Sequence, residues 1–206
     1  MLVMLCQRSS EVAEDLRDAL KEYEQLLYLA TDRMELYGKP NPLTEEGSIV
    51  HVLALRGKIK LLMEHLSSRG SELDDSITSH LSLLIQSWNA YVEDFRTETS
   101  SKLGEQYESF VLGFYDPDWI TLESPYDLSY FDYFLIRRDS VECFLVGSDV
   151  EWPEKDFRGP LIEAERKLKD YVKTSVVPNM LKEFPPSAVT EGNIEWLPES
   201  FWWRHL

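Results

Sequence analysis

Asp116 and Asp118 stand on either side of Pro117 and directly before Trp119. Two carboxylates beside an indole are parts that sugar hydrolysis can use as an acid and a base or nucleophile. They are also hard oxygen donors for a cation. Asp116, Pro117 and Asp118 also make a turn, since proline presets its backbone angle and aspartate side chains bond nearby amides. Without a third polar partner the turn is the preferred reading, and a small hydrolase acting through Asp116 and Asp118 is the alternative. His65, beside Glu64, has the chemistry of a general base, but a cation in the last turn of a helix is its more ordinary role. Asp74 and Asp75 compensate the dipole at a helix start. His51 and His80 fall beside apolar stripes and read as packed or surface residues.

Other chemistries are excluded by inspection. The chain has no Gly-rich dinucleotide fingerprint, no Gly-Lys-Ser/Thr phosphate loop and no Gly-x-Ser-x-Gly elbow. Its four histidines are dispersed, with no Glu-x-x-His and no His pair four residues apart, so no metal site is expected. Cys6 and Cys143 lie far apart outside any Cys-x-x-Cys, which fits a reducing compartment, the cytoplasm. Met1 to Cys6 is too short to be a signal peptide, and no apolar run approaches the roughly 20 residues of a membrane helix. No cofactor and no catalytic set are expected.

Charge is the stronger signal. The chain carries a net −16 over 206 residues. Residues 105–156 hold thirteen acids against three bases, and 12 of the chain's 25 aromatic residues. The last fifty residues carry seven acids and seven bases, so the asymmetry sits in the middle of the chain. Such a surface disfavours nucleic acid and anionic membranes and suits a basic protein, because carboxylates steer the encounter and rings anchor it. The expected function is therefore a non-enzymatic inhibitor of a basic partner such as a toxin, of the kind that bacterial immunity proteins and antitoxins represent. Asp116, Asp118, Asp127, Asp132, Glu142, Asp149 and Glu151 would supply the field, and Tyr126, Tyr130, Tyr133 and Trp152 the anchors. A structural adaptor or homodimer using helical faces, or Trp202 and Trp203, is a further alternative; monomer and homodimer both stay open.

These residues need a scaffold, and the apolar spacing describes one. Val12, Leu16, Leu20, Tyr23, Leu27, Ala30, Met34 and Tyr37 recur at steps of three or four, which predicts a long amphipathic helix ended by Gly38 and Pro40. A second helix is predicted to bury Val52, Leu53, Ile59 and Leu62, with Gly57 inside it marking either a weak point or a close helix crossing. A third carries Ile77, Leu81, Leu84 and Trp88, and its rings Trp88, Tyr91 and Phe95 read as core before they read as a ligand pocket. Three long antiparallel helices thus make a scaffold over residues 10–101.

The ring-rich and β-branched runs 130–137 and 141–146, separated by Arg138, Asp139 and Ser140, predict a β-hairpin inside segment 105–156, with residues 119–122 the candidate for a further strand. Residues 160–206 read as a helix, ended or kinked near Pro178, followed by an aromatic tail folded back onto the core. The expected architecture is one α+β domain over residues 1–206, predominantly α: three long antiparallel amphipathic helices, shorter helices near 103 and 161, and a small antiparallel β-hairpin or sheet.

Overall fold

The computed structural model describes residues 4–37, 49–70, 75–90, 111, 128–153 and 155–206. Its long elements are helices α1 (Val12–Tyr37), α2 (Ile49–Ser68), α3 (residues 75–90) and α4 (Leu128–Glu151), followed by α5 (Ile162–Tyr171), α6 (Val177–Glu183) and α7 (Pro186–Val189). There is no strand among the described residues.

α1 is helical for the reason its spacing implies. Val12, Leu16, Leu20, Tyr23 and Leu27 are all buried, while the charged residues between them, Asp15 apart, face outward. α2 runs antiparallel to it: Asp15 pairs with Lys58 at 2.6 Å and Glu22 meets His51 at 2.9 Å, so the numbers descend on α2 as they rise on α1. α2 ends at Gly70, whose φ of 67° lies in the left-handed region that glycine enters without cost. α3 turns Ile77, Leu84 and Trp88 inward, and its His80 reaches Glu24 of α1 at 3.2 Å.

The expected hairpin is overturned. Residues 130–137, 138–140 and 141–146 are successive turns of the single helix α4. α4 lies in the interior against α2, so Phe131, Phe134 and Leu135 as well as Val141, Phe144 and Leu145 are buried on different sides of it. From Arg138 to Ser148 the helix is buried or half-buried on every side, so this stretch has no polar face to give a 3.6-residue signal, and runs of rings and branched residues then imitate strands. The three residues expected to turn the chain are instead buried polar groups. Ser140 Oγ donates to the Ile136 carbonyl four residues back, and Ser148 Oγ does the same to Phe144. Residues 119–122, the expected further strand, and the short helix expected near 103 lie outside the described residues.

Glycine makes the α2–α4 contact unusually close. A Cβ built on Gly57 would fall 1.8 Å from the Cys143 carbonyl oxygen, and one built on Gly147 would fall 1.9 Å from that of Leu53. The crossing is backbone against backbone, again antiparallel, and it answers the question posed by Gly57 in favour of a close crossing.

Pro178 does not end its helix. Proline has no N–H to donate and its ring crowds the carbonyl four residues back. The chain widens just before it into a π turn over Val172–Val176, in which the Val177 N–H reaches the Val172 carbonyl, and α6 then continues. The tail folds back as expected. Phe201 and Trp203 are wholly buried, and Trp202 nearly so. Asn193 donates to the Leu206 carbonyl at 3.0 Å, and Trp196 Nε1 donates to the Cys6 carbonyl at 2.9 Å, tying the tail to the start of the described chain. All these elements contribute to one apolar core. No helix among the described residues is long and apolar enough to cross a membrane.

Candidate functional site

Of the residues expected to meet a partner, Asp116, Asp118, Tyr126 and Asp127 lie outside the described residues, and so does the side chain of Tyr130. The others all sit on α4 or at its end, but they do not share a face. Asp132 and Tyr133 are exposed. Tyr133 accepts a hydrogen bond from Arg137 at 3.1 Å and has that guanidinium 5.7 Å from its ring centroid. Partial burial, helped by nearby Glu191, raises the pKa of Asp132. Glu142, by contrast, is buried, and Trp152 is sealed in the core with Lys155 over its ring at 5.6 Å.

The inward-facing acids are neutralised by arginines. Arg158, just before α5, clamps Glu142 at 2.8 Å with one nitrogen and Asp149 at 2.9 Å with another. Opposing charges keep the Arg158 pKa raised although burial works against it. Glu151 accepts from Trp88 Nε1 at 2.6 Å and from Arg56 at 3.0 Å. Arg56 also donates to the Tyr23 hydroxyl at 3.0 Å and lies 5.0 Å from the Trp88 centroid. Glu142, Asp149 and Glu151 therefore join α4 to α2, α3 and the α5 region. Their fields are largely cancelled at close range.

A second network was invisible in the sequence reading. Asp139 is fully buried and receives Trp203 Nε1 at 2.9 Å and Arg204 Nε at 3.1 Å, while a further Arg204 nitrogen bonds its other oxygen. Burial pushes the Asp139 carboxyl above the usual range, and the hydrogen bonds from Arg204 and Trp203 pull it back toward ionisation. Arg204 completes its fork on the Gly192 carbonyl at 2.7 Å. Next to it, Arg138 lies 4.1 Å from the Trp203 centroid and bonds Glu165 on α5, which also accepts from Trp202 Nε1. The available signal was an Arg-Asp pair inside an apolar run, answered by a Trp-Trp-Arg triplet near the end of the chain.

The network borders a cleft of about 440 Å³ between α4, α5 and the segment around Ser200. Leu145 and Leu161 line it, with Ile162 at its edge. Among the described residues no group of three or more His, Cys, Asp or Glu side chains is placed to hold a metal ion. His65, weighed as a general base, packs its ring against Trp196 at 5.0 Å, and burial together with Arg69 lowers its pKa.

No protein-family model, no curated protein and no solved structure matches this chain.

Proposed function

We propose that the chain is a non-enzymatic protein-binding module that captures a basic partner in the cytoplasm, in the manner of an immunity protein or antitoxin. The observation that carries this reading is the outward surface that begins at α1. From Glu11 to Tyr28 it exposes Glu11, Glu14, Asp18, Glu22 and Glu24 against Arg17 and Lys21, and ends on Tyr28, which is 68% exposed. Exposed pairs such as Lys21 with Asp18 at 3.0 Å contribute little and leave most of the field facing solvent. Asp132 and Tyr133 are a second exposed acid and ring, close to Glu191. In a chain of net −16 these groups supply long-range attraction and an aromatic anchor. The free thiols Cys6 and Cys143 are compatible with a reducing compartment.

The test begins with a low-salt pull-down from host lysate, eluted by salt, and continues with association kinetics on the recovered protein. The on-rate should fall steeply as salt rises and fall again for Glu14→Lys combined with Asp18→Lys. An on-rate indifferent to both salt and substitution would remove the proposal.

A further inference from the structure

We propose that the cleft between α4 and α5 binds an amphipathic organic anion: a carboxylate carried on a short apolar chain. This is independent of whether the chain captures a protein. Its volume, about 440 Å³, lies within the range of roughly 300–1,000 Å³ typical of small-molecule pockets.

Its charge sets it apart from the rest of the molecule. Against a net −16 overall, its lining holds the bases Arg138, Arg158, Arg166 and Lys169 and only the acids Glu142, Glu165 and Glu199. Two of those acids are already engaged, Glu142 by Arg158 at 2.8 Å and Glu165 by Arg138 and Trp202. Arg166 is engaged too, by Glu163 at 2.7 Å and Asp170 at 3.0 Å. Lys169 differs: its Nζ stands 5.7 Å from the Trp202 centroid, and among the described residues no carboxylate lies within ion-pair reach. The lining thus holds a cation with donors to spare beside an indole, and Arg158 is half-exposed next to it.

The apolar half of the ligand is called for by the walls. Leu145 and Leu161 close the interior, and Ile162 at the edge leaves 70% of its surface to water. A hydrocarbon laid on that edge would remove exposed apolar area from water while its carboxylate reached Lys169 and the Ser200 hydroxyl. A cationic ligand would find only Glu199 among the lining acids not already engaged and would sit against Lys169, and a neutral one would leave Lys169 unanswered.

Octanoate, 1-octanol and octylammonium share one chain and differ in head charge, so together they test the proposal on the full-length protein. Binding is read by calorimetry and by the shift of the Trp202 indole N–H resonance, assigned with Trp202→Phe. Octanoate should bind saturably and at least about tenfold more tightly than the other two. Lys169→Gln should weaken it by about tenfold while far-UV circular dichroism and thermal midpoint stay unchanged, because among the described residues this lysine holds no ion pair. Lys167→Gln, on the same helix and salt-bridged to Glu163 at 3.7 Å, should leave octanoate binding unaltered. Equal binding of the three compounds, no saturable shift up to roughly millimolar octanoate, or full affinity in Lys169→Gln would each overturn the assignment.

Discussion

Replacing Gly57 by alanine adds one methyl group where α2 and α4 touch, and two opposed effects decide the outcome. In an exposed helix the change would stabilise by about 1 kcal/mol, since alanine is the better helix former. Here the new Cβ would lie 1.8 Å from the Cys143 oxygen, 2.7 Å from its carbonyl carbon and 2.9 Å from the Gly147 nitrogen. A carbon meets a carbonyl oxygen comfortably at about 3.3 Å, so the helices must part by about 1.5 Å along that line. Both groups in the way are helical backbone, and neither can swing aside as the end of a side chain could. A gap of even 0.5–1 Å forfeits roughly a quarter to a half of each dispersion contact along the crossing. Overpacking of this kind costs about 1–3 kcal/mol and occasionally more, and backbone obstruction places it at the upper end. After the helix-propensity gain, Gly57→Ala should destabilise by about 2 kcal/mol or more.

For a chain of this length about 2–4 °C of melting temperature corresponds to each kcal/mol, so a drop of about 4–8 °C is expected by far-UV circular dichroism, with a matching fall in the urea midpoint. Gly147→Ala should behave alike, its Cβ meeting the Leu53 oxygen at 1.9 Å. The double variant should cost less than the sum of the two, because one separation relieves both obstructions. Gly70→Ala is the control. Nothing lies within 4 Å of its added Cβ, and only the φ of 67° penalises it, by about 1 kcal/mol. Should Gly57→Ala prove as stable as the parent or more so, the backbone-to-backbone crossing is wrong.

Asp139→Asn keeps the acceptor for Trp203 but strands buried Arg204 without its counter-charge. Burial holds the Asp139 carboxyl above its ordinary range against the pull of Arg204, and removing its charge should cost about 3–5 kcal/mol in urea unfolding; a loss under 1 kcal/mol would contradict the pairing. Burial pushes the Tyr23 phenol up to about 12, above its ordinary 10, so between those values the unfolded chain loses a proton that the native chain keeps. Stability should therefore fall as pH rises through that window; Tyr23→Phe should flatten the slope, and an unchanged slope would show the phenol is not responsible. The Cys6 thiol is likewise raised to about 12, by burial first and then by Asp15, and Cys143 is wholly buried. Both should resist a thiol reagent at pH 8 in the native protein and react at once in urea, whereas fast native labelling of Cys143 would place it wrongly.

What could be read from the sequence depended on whether an element has a wet side. α1 was readable because Val12, Leu16, Leu20 and Tyr23 are buried while Glu14, Asp18 and Lys21 are in water, which writes the helical period into the chain. Over most of its length α4 has no such contrast: α2 covers one flank, the tail and α5 another, so residue type was left to speak alone and it spoke for strands. Three of the expected site residues were hard to place for the same reason. Glu142, Asp149 and Glu151 read as a field for a partner because the arginines that cancel them, Arg158 and Arg56, come from other elements.

Arg138, Asp139 and Ser140 are turn formers by type only while their surroundings are assumed to be water. Once Asp139 is bonded to Arg204, 65 residues away, and Ser140 to its own helix, burial of the polar groups becomes the condition that lets the helix run on. That reasoning runs in both directions. A charged pair inside an apolar run is cheap in a turn and costly in a core, so its presence in a core demands a matching arginine and indole elsewhere in the chain. Trp203 and Arg204 are that match, which is why the tail is buried and is not offered as an aromatic patch to a second molecule.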